Sequence, residues 1–575
     1  MNYVADFETT TDINDCRVWA YGVCSIDENL LFTYGNNLDD FFEWIKTSDC
    51  TKIYFHNLKF DGEFLIYYLF KQGFEFVKNR TELKTKTFTT LISDKGQFYS
   101  MKIVFSKNKH KTEYVEIFDS LKLLPFKVSE IAKGFNLPIQ KGELDYKKYR
   151  EPNHKITDEE LLYIKNDCEI VARALHILLK ENLTKMTIGS NALFDYKNII
   201  GKKKFERDFP ILKYDSDIRK SYKGGYTYLD KKYAEKELGA GVVFDVNSLY
   251  PYVMRTKKFP YGNPIFFKGK YEKDNLYDLY VQQFTCNFEL KDGFIPTIQA
   301  RNRLDFFRPN DYLESSNGID VTLTLTSSDF ELFKKHYNIY NIDYICGYKF
   351  KSAYNLFSDY IDKWIEIKNN ATIEGNFAMR TLAKLMLNSL YGKFALNPNV
   401  CSKYPYLEND VVKYKNGEKE LRSPIYIPIG SYITSYARCV TINSAQTIRS
   451  DFLTGKSDID FVYADTDSLH CISPNFEPPK TLEIDPIKLG AWKWETDFSR
   501  AKFLRQKCYI EMSRNHGKDE EEKLKITCAG MPEMCYTNVS FDNFNIGAKY
   551  DGKLCPKHTI GGIILADTEF TIRKT

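Results

Sequence analysis

No Cys-x-x-Cys pair occurs anywhere in this chain of 575 residues, and its thirteen cysteines are scattered singly and odd in number. Neither a zinc site nor a disulfide framework is supported, which points to a reducing cytosol. The N-terminus, MNYVADFETT, lacks the basic flank and apolar core of a signal peptide, and no run approaches the ~18 apolar residues of a membrane span. A soluble, intracellular protein is expected. Internal repeats and low-complexity segments are also missing. A net excess of either charge is nearly absent: 81 basic residues against 77 acidic ones leave +4 and a pI of 8.2. That weak excess permits nucleic-acid binding without demanding it, because acids gathered at one place can mask a positive groove elsewhere. What the chain does have is 43% apolar and 15% aromatic residues, the composition of folded, well-buried structure. Its length suggests about three or four domains.

Residues 1 to about 185 alternate short strand patterns (NYVADFET, KIYFHN, YVEIF) with helical ones, as an α/β domain does. They end in a long helix from Thr157, whose TDEE start fits a capping box. From about 186 the chain carries YKGGY at 222–226 and then GVVFDVNSLYPY, a strand running into a turn and a helix. Residues 257–355 read as an irregular inserted subdomain rich in Tyr, Asn, Asp and Gly. Asp359 to Leu390 is strongly helical. A polar insert follows, with hairpin chemistry expected at Asn416-Gly417. After about 526 the chain is strand-like, with turns expected at YDGK and IGG.

Carboxylates are placed in pairs. In YADTDS, strand alternation would send Asp465 and Asp467 to one face. Two charges ~4 Å apart repel by about 4 kcal/mol at an effective dielectric near ~20. A solvated hairpin tip accommodates that, and so does a hard cation such as Mg2+ or Mn2+. An EF-hand loop is excluded because its Gly and distal Glu are missing. Asp6 and Glu8 repeat the pattern on the first strand, HNLKFD supplies Asp61, and LLYIKND supplies Tyr163 and Asp167 on one helix face. Singly these have plain structural readings: Asp61 caps a helix from Gly62, and Tyr163 is a core aromatic. Further on, Asp245 ends the strand VVFD, and VNSLYP offers backbone N–H groups that could cradle a triphosphate. In RTLAKLMLNSLYGKF a helix puts Arg380, Lys384, Asn388 and Tyr391 on one stripe opposite Leu382, Leu385 and Ser389, with Gly392 as its stop. In RQKCY, Lys507 and Tyr509 would share one face of a strand.

The joint order D-x-E, N-x-x-x-D, Y-x-x-x-D resembles the three motifs of DEDD-type 3'-5' exonucleases. DVNSLYP, KLMLNSLYG, YADTDS and KCY, taken in order, resemble the motifs of family B DNA polymerases. YKGG, ITSYAR and the two inserts match the protein-primed bacteriophage subgroup, the phi29 type, over essentially the whole chain. The resemblance implies a ribonuclease H-like exonuclease domain (1–185), α/β, followed by a right-hand polymerase domain of α+β type. That second part comprises a palm (186–256 and 423–525), fingers (356–396) and a thumb (526–575), with two inserted subdomains. Insert 1 (257–355) would meet a terminal protein and DNA; insert 2 (397–422) would be a hairpin for strand displacement and processivity. Asp245, Asp465, Asp467, Asp6, Glu8, Asp61 and Asp167 are implied as catalytic metal ligands, with Val246 also at the metal, two Mg2+ (or Mn2+) ions per site. Tyr163 would orient the attacking water, and Lys141 resembles an accessory lysine of the nuclease.

Substrate contacts are implied for Val246, Ser248, Leu249 and Tyr250, and for Arg380, Lys384, Asn388 and Tyr391, around the incoming dNTP. Lys507 and Tyr509 would meet the primer end, and Arg438, Tyr222, Gly224 and Gly225 the DNA. Lys223 and Tyr226 flank those glycines where family members vary, so the backbone role is the one carried over. Thr9, Asn57, Phe60, Ser120 and Leu121 would hold a single strand. The implied partners are template and primer DNA, dNTPs and a terminal protein acting as primer, in the cytoplasm of a host bacterium, as a monomer or a heterodimer with that protein. Reverse transcriptases usually carry an adjacent Asp-Asp pair after Tyr, unlike the ADTD that follows Tyr463. A non-enzymatic DNA scaffold would not need the motif acids, all of which are present.

Overall fold

A computed structural model describes residues 1–146, 148–299 and 311–574. The N-terminal part is an eight-stranded sheet. Its centre pairs Asn2–Thr9 parallel with Lys52–Phe55, and that strand parallel with Thr112–Asp119. Val18–Ser25, antiparallel to Asn2–Thr9, is buried at all eight positions. Both faces of the sheet are therefore covered, which is why VWAYGVCS is apolar throughout instead of alternating. The helix Asp158–Lys180 packs on these two strands. It begins with the expected reciprocal cap: the Thr157 side chain accepts the Glu160 N–H, and Glu160 reaches back to the Thr157 N–H. A second helix spans Leu58–Lys71, so Asp61 lies within its first turn and does not precede it.

A second eight-stranded sheet gathers pieces distant in sequence: Lys523–Cys528, Cys508–Asn515, Trp492–Arg505, Gly241–Val246, Ser468–Ile472, Asp460–Asp465 and Thr227–Leu229 in order, with Glu237–Leu238 beside Trp492–Arg505. Lys523–Cys528 belongs to this sheet, so a boundary at 525/526 would cut a strand. The 27-residue helix Ile427–Leu453, which carries ITSYAR, packs behind it. Its buried residues include Ser431, Thr434, Ser435 and Thr441; all four hydroxyls meet main-chain carbonyls or neighbouring hydroxyls, as burial requires.

Residues 257–355 are not irregular. Around the undescribed 300–310 they form a four-stranded antiparallel sheet, Phe259–Lys268, Tyr337–Ala353, Leu279–Leu290 and Val321–Thr326. The 17-residue strand YNIYNIDYICGYKFKSA is interrupted by register shifts at Ile345 and at Asn341–Ile342, which break its alternation. Among the helical residues, Ser358–Ile373 and Phe377–Ser389 are two helices separated at Gly375, whose φ is +69°. The second buries Leu382, Ala383, Met386 and Leu387, not Leu385 or Ser389. Gly392 does not stop it: the break comes at Leu390, and Gly392 sits inside the next turn, Tyr391–Phe394.

The polar insert is a hairpin, Asn399–Glu408 with Val411–Leu421, but its turn is Asn409-Asp410. Both residues have positive φ (51° and 57°), as a primed two-residue turn requires. Asn416-Gly417 lies within the second strand, where a Cβ on Gly417 would come 2.5 Å from the Tyr404 ring. YDGK is likewise no turn. Gly552, φ +104°, marks a bulge in Lys549–Thr559, which turns at Ile560-Gly561 into Gly562–Thr571.

Candidate active sites

The first sheet builds one carboxylate cluster. Asp6 and Glu8 come from Asn2–Thr9, Asp61 from the first turn of Leu58–Lys71, and Tyr163 and Asp167 from Asp158–Lys180. Burial, then the neighbouring Asp167, pushes Asp6 up to about 7. Burial and Asp6 also hold Glu8 and Asp61 well above the usual carboxylate range, and burial raises Asp167. Asp61 Oδ1 and Asp167 Oδ1 are buried without a hydrogen-bond partner. Lys141 Nζ donates to Asp167 Oδ2 at 2.5 Å. Four acids crowded together, two of them with a bare oxygen, offer the oxygen chemistry that a hard divalent cation takes. Among the described residues no group of three or more metal-ligating side chains closes around one point. Such openness suits an ion that keeps water and phosphate oxygens in its shell.

Around this cluster, Thr9 follows a register shift, and Asn57 is exposed in the left-handed region at φ 74°. Phe60 and Leu121 are half-buried. Ser120 is fully buried, its hydroxyl donating to the Phe55 carbonyl and lying 3.0 Å from His56 Nδ1. Of the expected single-strand contacts, then, Ser120 lies beneath the surface and Leu121 reaches it. Two residues were missed. Tyr146 places its hydroxyl 2.6 Å from that of Tyr163. Asp119 accepts the N–H groups of Asn57 and Leu121, both at 3.1 Å, and so ties the two segments together.

The second sheet builds another cluster. Asp465 ends its strand and pairs with Ser468, so Thr466 and Asp467 form a two-residue turn, with Thr466 at φ 61°. Asp467 therefore faces the site through turn geometry, not strand alternation. The turn is pinned from three sides: Val246 N–H donates to the Asp467 carbonyl (2.7 Å), Thr466 N–H to the Tyr226 carbonyl (2.6 Å), and Thr441 Oγ1 to the Thr466 carbonyl (2.6 Å). Burial, then Asp467 and Glu495, pushes Asp245 up to about 7. Burial, with Asp465 and Glu495 adding, also raises Asp467. Glu495 was not foreseen. It stands at a register shift against Val243 and Phe244, and a bulge leaves no periodic signal in sequence.

Asp465 accepts from Thr227 Oγ1 (3.0 Å) and from Lys507 Nζ (2.9 and 2.7 Å). Lys507 reaches it because it lies in a turn at φ 54°, not on a strand face with the buried Tyr509. Arg380, Lys384 and Asn388 form an exposed stripe. Lys368, from the preceding helix, joins them: burial and then the charges of Arg380 and Lys384 lower its affinity for a proton. Tyr391 stacks on Tyr250 with centroids 4.1 Å apart and planes at 27°. Ser248, at φ 56°, turns the chain into the helix Leu249–Thr256, and Leu249 is buried. Tyr222 is half-buried beside Gly224 and Gly225, and a Cβ on Gly225 would lie 2.4 Å from Thr466 Oγ1. Arg438 corrects the expectation of a DNA contact. It is buried, bonded to Asp329 and to the carbonyls of Lys223 (2.9 Å) and Gly224 (2.6 Å), and so braces the glycine loop.

A family model described as DNA polymerase type B, organellar and viral, matches residues 45–151 and 147–481. The DNA polymerases of Bacillus phages Nf and phi29 are each 45% identical to this chain, with 99% of it and 99% of each relative covered. The chain belongs to the phi29-type DNA polymerases. A solved structure of phi29 DNA polymerase complexed with primer-template DNA and incoming nucleotides matches it with a TM-score of 0.92 at 43% identity, covering 100% of both chains. The two sheets are thus the exonuclease and polymerase parts of a phi29-type enzyme that synthesises DNA. None of its described helices is long and apolar enough to cross a membrane.

Proposed function

We propose that this phi29-type polymerase copies DNA at the Asp245–Asp467 centre, removes 3' nucleotides at the Asp6–Glu8–Asp61–Asp167 centre, and starts strands on a terminal protein. The observation that carries the reading is the duplication itself. Two separate sheets each hold carboxylates that the fold keeps above their ordinary pKa, each beside a lysine. Residues 1–185 are assigned to proofreading and 186–256 with 423–525 to the palm, which the Lys523–Cys528 strand extends to 528. Residues 356–396 are assigned to the fingers, the C-terminal hairpin to the thumb, and 257–355 and 397–422 to the inserts.

Bound divalent ions, Mg2+ or Mn2+ and two per centre, supply charge stabilisation to the oxygens of phosphoryl transfer. At the polymerase centre Asp245, Asp467 and Asp465 hold them, with Val246 contributing. Lys384 and Arg380, joined by Lys368, neutralise the triphosphate of a dNTP, and the turn from Val246 to Leu249 offers it main-chain N–H groups. The Tyr250–Tyr391 stack floors the sugar and leaves no room for a 2' hydroxyl, while Asn388 borders the base. Lys507 and Tyr509 seat the primer end, and the loop Tyr222–Gly225 follows the DNA. At the nuclease centre Tyr163, held by Tyr146, orients water; Lys141 balances the charge on Asp167; and Thr9, Asn57, Phe60 and Leu121 grip the strand.

The hairpin 399–421 closes the path of the DNA. Its tip bridges to the thumb at Val411 and Ile560, Lys71 meets Asp410 at 3.0 Å, and Tyr414 donates to Glu63 of the nuclease part at 2.8 Å. A closed path favours processive, strand-displacing synthesis. The enzyme acts as a monomer, or as a heterodimer with the terminal protein, in the host cytoplasm. The test is a 5'-labelled primer on a template with Mg2+. Extension with dNTPs and stepwise 3' shortening without them are expected, and extension with no shortening would remove the proofreading assignment. Priming is tested by dNTP-dependent labelling of a terminal protein on linear DNA ends.

A further inference from the structure

Behind the Asp465 hairpin lies a polar pair that the mechanism above does not use. His470, on Ser468–Ile472, and Glu511, on Cys508–Asn515, are 2% and 0% exposed. His470 Nδ1 lies 2.6 Å from Glu511 Oε1, and Glu511 Oε2 is buried without a partner. A buried pair with a bare oxygen is less favourable than apolar side chains of the same size, so packing does not account for it.

Its position does. The two strands are not neighbours: Trp492–Arg505 and Gly241–Val246 stand between them in the sheet. The hydrogen bond therefore reaches over the curved sheet and joins two hairpin arms, one carrying Asp465 and Asp467, the other Lys507 and Tyr509. The imidazole is walled by Tyr463, Tyr509 and Phe503, with centroids at 5.3, 5.1 and 5.6 Å. Two of these walls touch the site. Tyr463 OH accepts the Lys507 N–H at 3.0 Å and lies 3.4 Å from Asp465 Oδ2. Tyr509 packs against both other rings, tilted to Tyr463 and stacked on Phe503. Ring packing tolerates a range of separations and tilts, whereas a short hydrogen bond fixes both a distance and an angle.

We propose that His470 and Glu511 are a positioning pair that sets the spacing between the metal-binding hairpin and the Lys507–Tyr509 arm, and thereby where the primer 3' end rests. This rests on the assignment of Lys507 and Tyr509 to the primer. Neither His470 nor Glu511 touches substrate.

The test replaces the pair with apolar side chains, His470→Phe with Glu511→Leu, in the full-length enzyme. A merely structural pair tolerates that exchange. Three quantities are measured: kcat and KM of single-nucleotide addition with respect to primer-template, the dNTP concentration at which extension and degradation balance, and degradation of a single-stranded oligonucleotide. A KM raised about tenfold with kcat within about twofold is expected. The balance point moves to higher dNTP, and single-strand degradation is unchanged. Unchanged KM and balance point would overturn the proposal. If the double variant also loses single-strand degradation, His470→Asn, too short to span the arms, takes its place with the same expectation and the same refutation. Lys507→Ala is run alongside: if it too leaves the KM unchanged, the primer assignment fails, and the positioning role falls with it.

Discussion

Replacing Asp245 with Asn is expected to stabilise the chelated protein while abolishing synthesis. Burial and the neighbouring Asp467 and Glu495 carry this carboxyl from 3.8 up to about 7. A group whose folded pKa is raised favours the fold when protonated, so its contribution is full below about 3.8 and is lost as pH rises through about 7. At pH 8 the ionised carboxylate then costs the fold up to about 4 kcal/mol, taking about 1.4 kcal/mol per pH unit. Asp245 is half-buried, and solvent screening brings this to about 2 kcal/mol. The amide keeps the shape and removes the charge. Calorimetry in EDTA should show the transition of the Asp245→Asn variant raised by a few degrees at pH 8, and the gain gone near pH 4. Primer extension in Mg2+ should fall by at least about 10³-fold. A variant no more stable than the parent at pH 8 would refute the electrostatic account of this centre.

Tyr250→Val should open the floor beneath the sugar and raise ribonucleotide use; steady-state dNTP/rNTP discrimination that does not change would return Tyr250 to a packing role. Deleting 399–421 should spare single-nucleotide addition but shorten products at limiting enzyme and stall at a downstream duplex, and a variant that crosses a gapped template like the parent contradicts this. Gly225→Ala sets a Cβ 2.4 Å from Thr466 Oγ1, next to Asp467. Extension should fall at least about tenfold with single-strand degradation intact, because an atom that close forces the turn to move; normal extension would show the loop yields freely.

The carboxylates were legible in sequence because their spacing is short range: D-x-E on a strand and Y-x-x-x-D on a helix need only the local period. The long strand Tyr337–Ala353 was not, since its partners lie tens of residues away and two register shifts break its alternation. Turns were misplaced where a common pair, Asn416-Gly417, outranked Asn409-Asp410; the register of the hairpin, which pairs Tyr404 with Lys415 and Glu408 with Val411, puts the turn at Asn409-Asp410. Asp467 was placed on the right face for the wrong reason. Glu495, Lys368 and the His470–Glu511 pair became visible only when distant strands and helices were brought together. Arg438 shows the converse: a cation in the ITSYAR segment whose charge is spent inside the protein.

Whether the two carboxylate centres act independently on DNA is decided by assaying Asp467→Ala and the double variant Asp6→Ala, Glu8→Ala side by side, on primer extension and on single-strand degradation, with folding checked by circular dichroism. Independent centres predict that Asp467→Ala loses extension by at least about 10³-fold and degrades normally, and that the double variant does the reverse. Equal loss of both activities in either folded variant would contradict their independence.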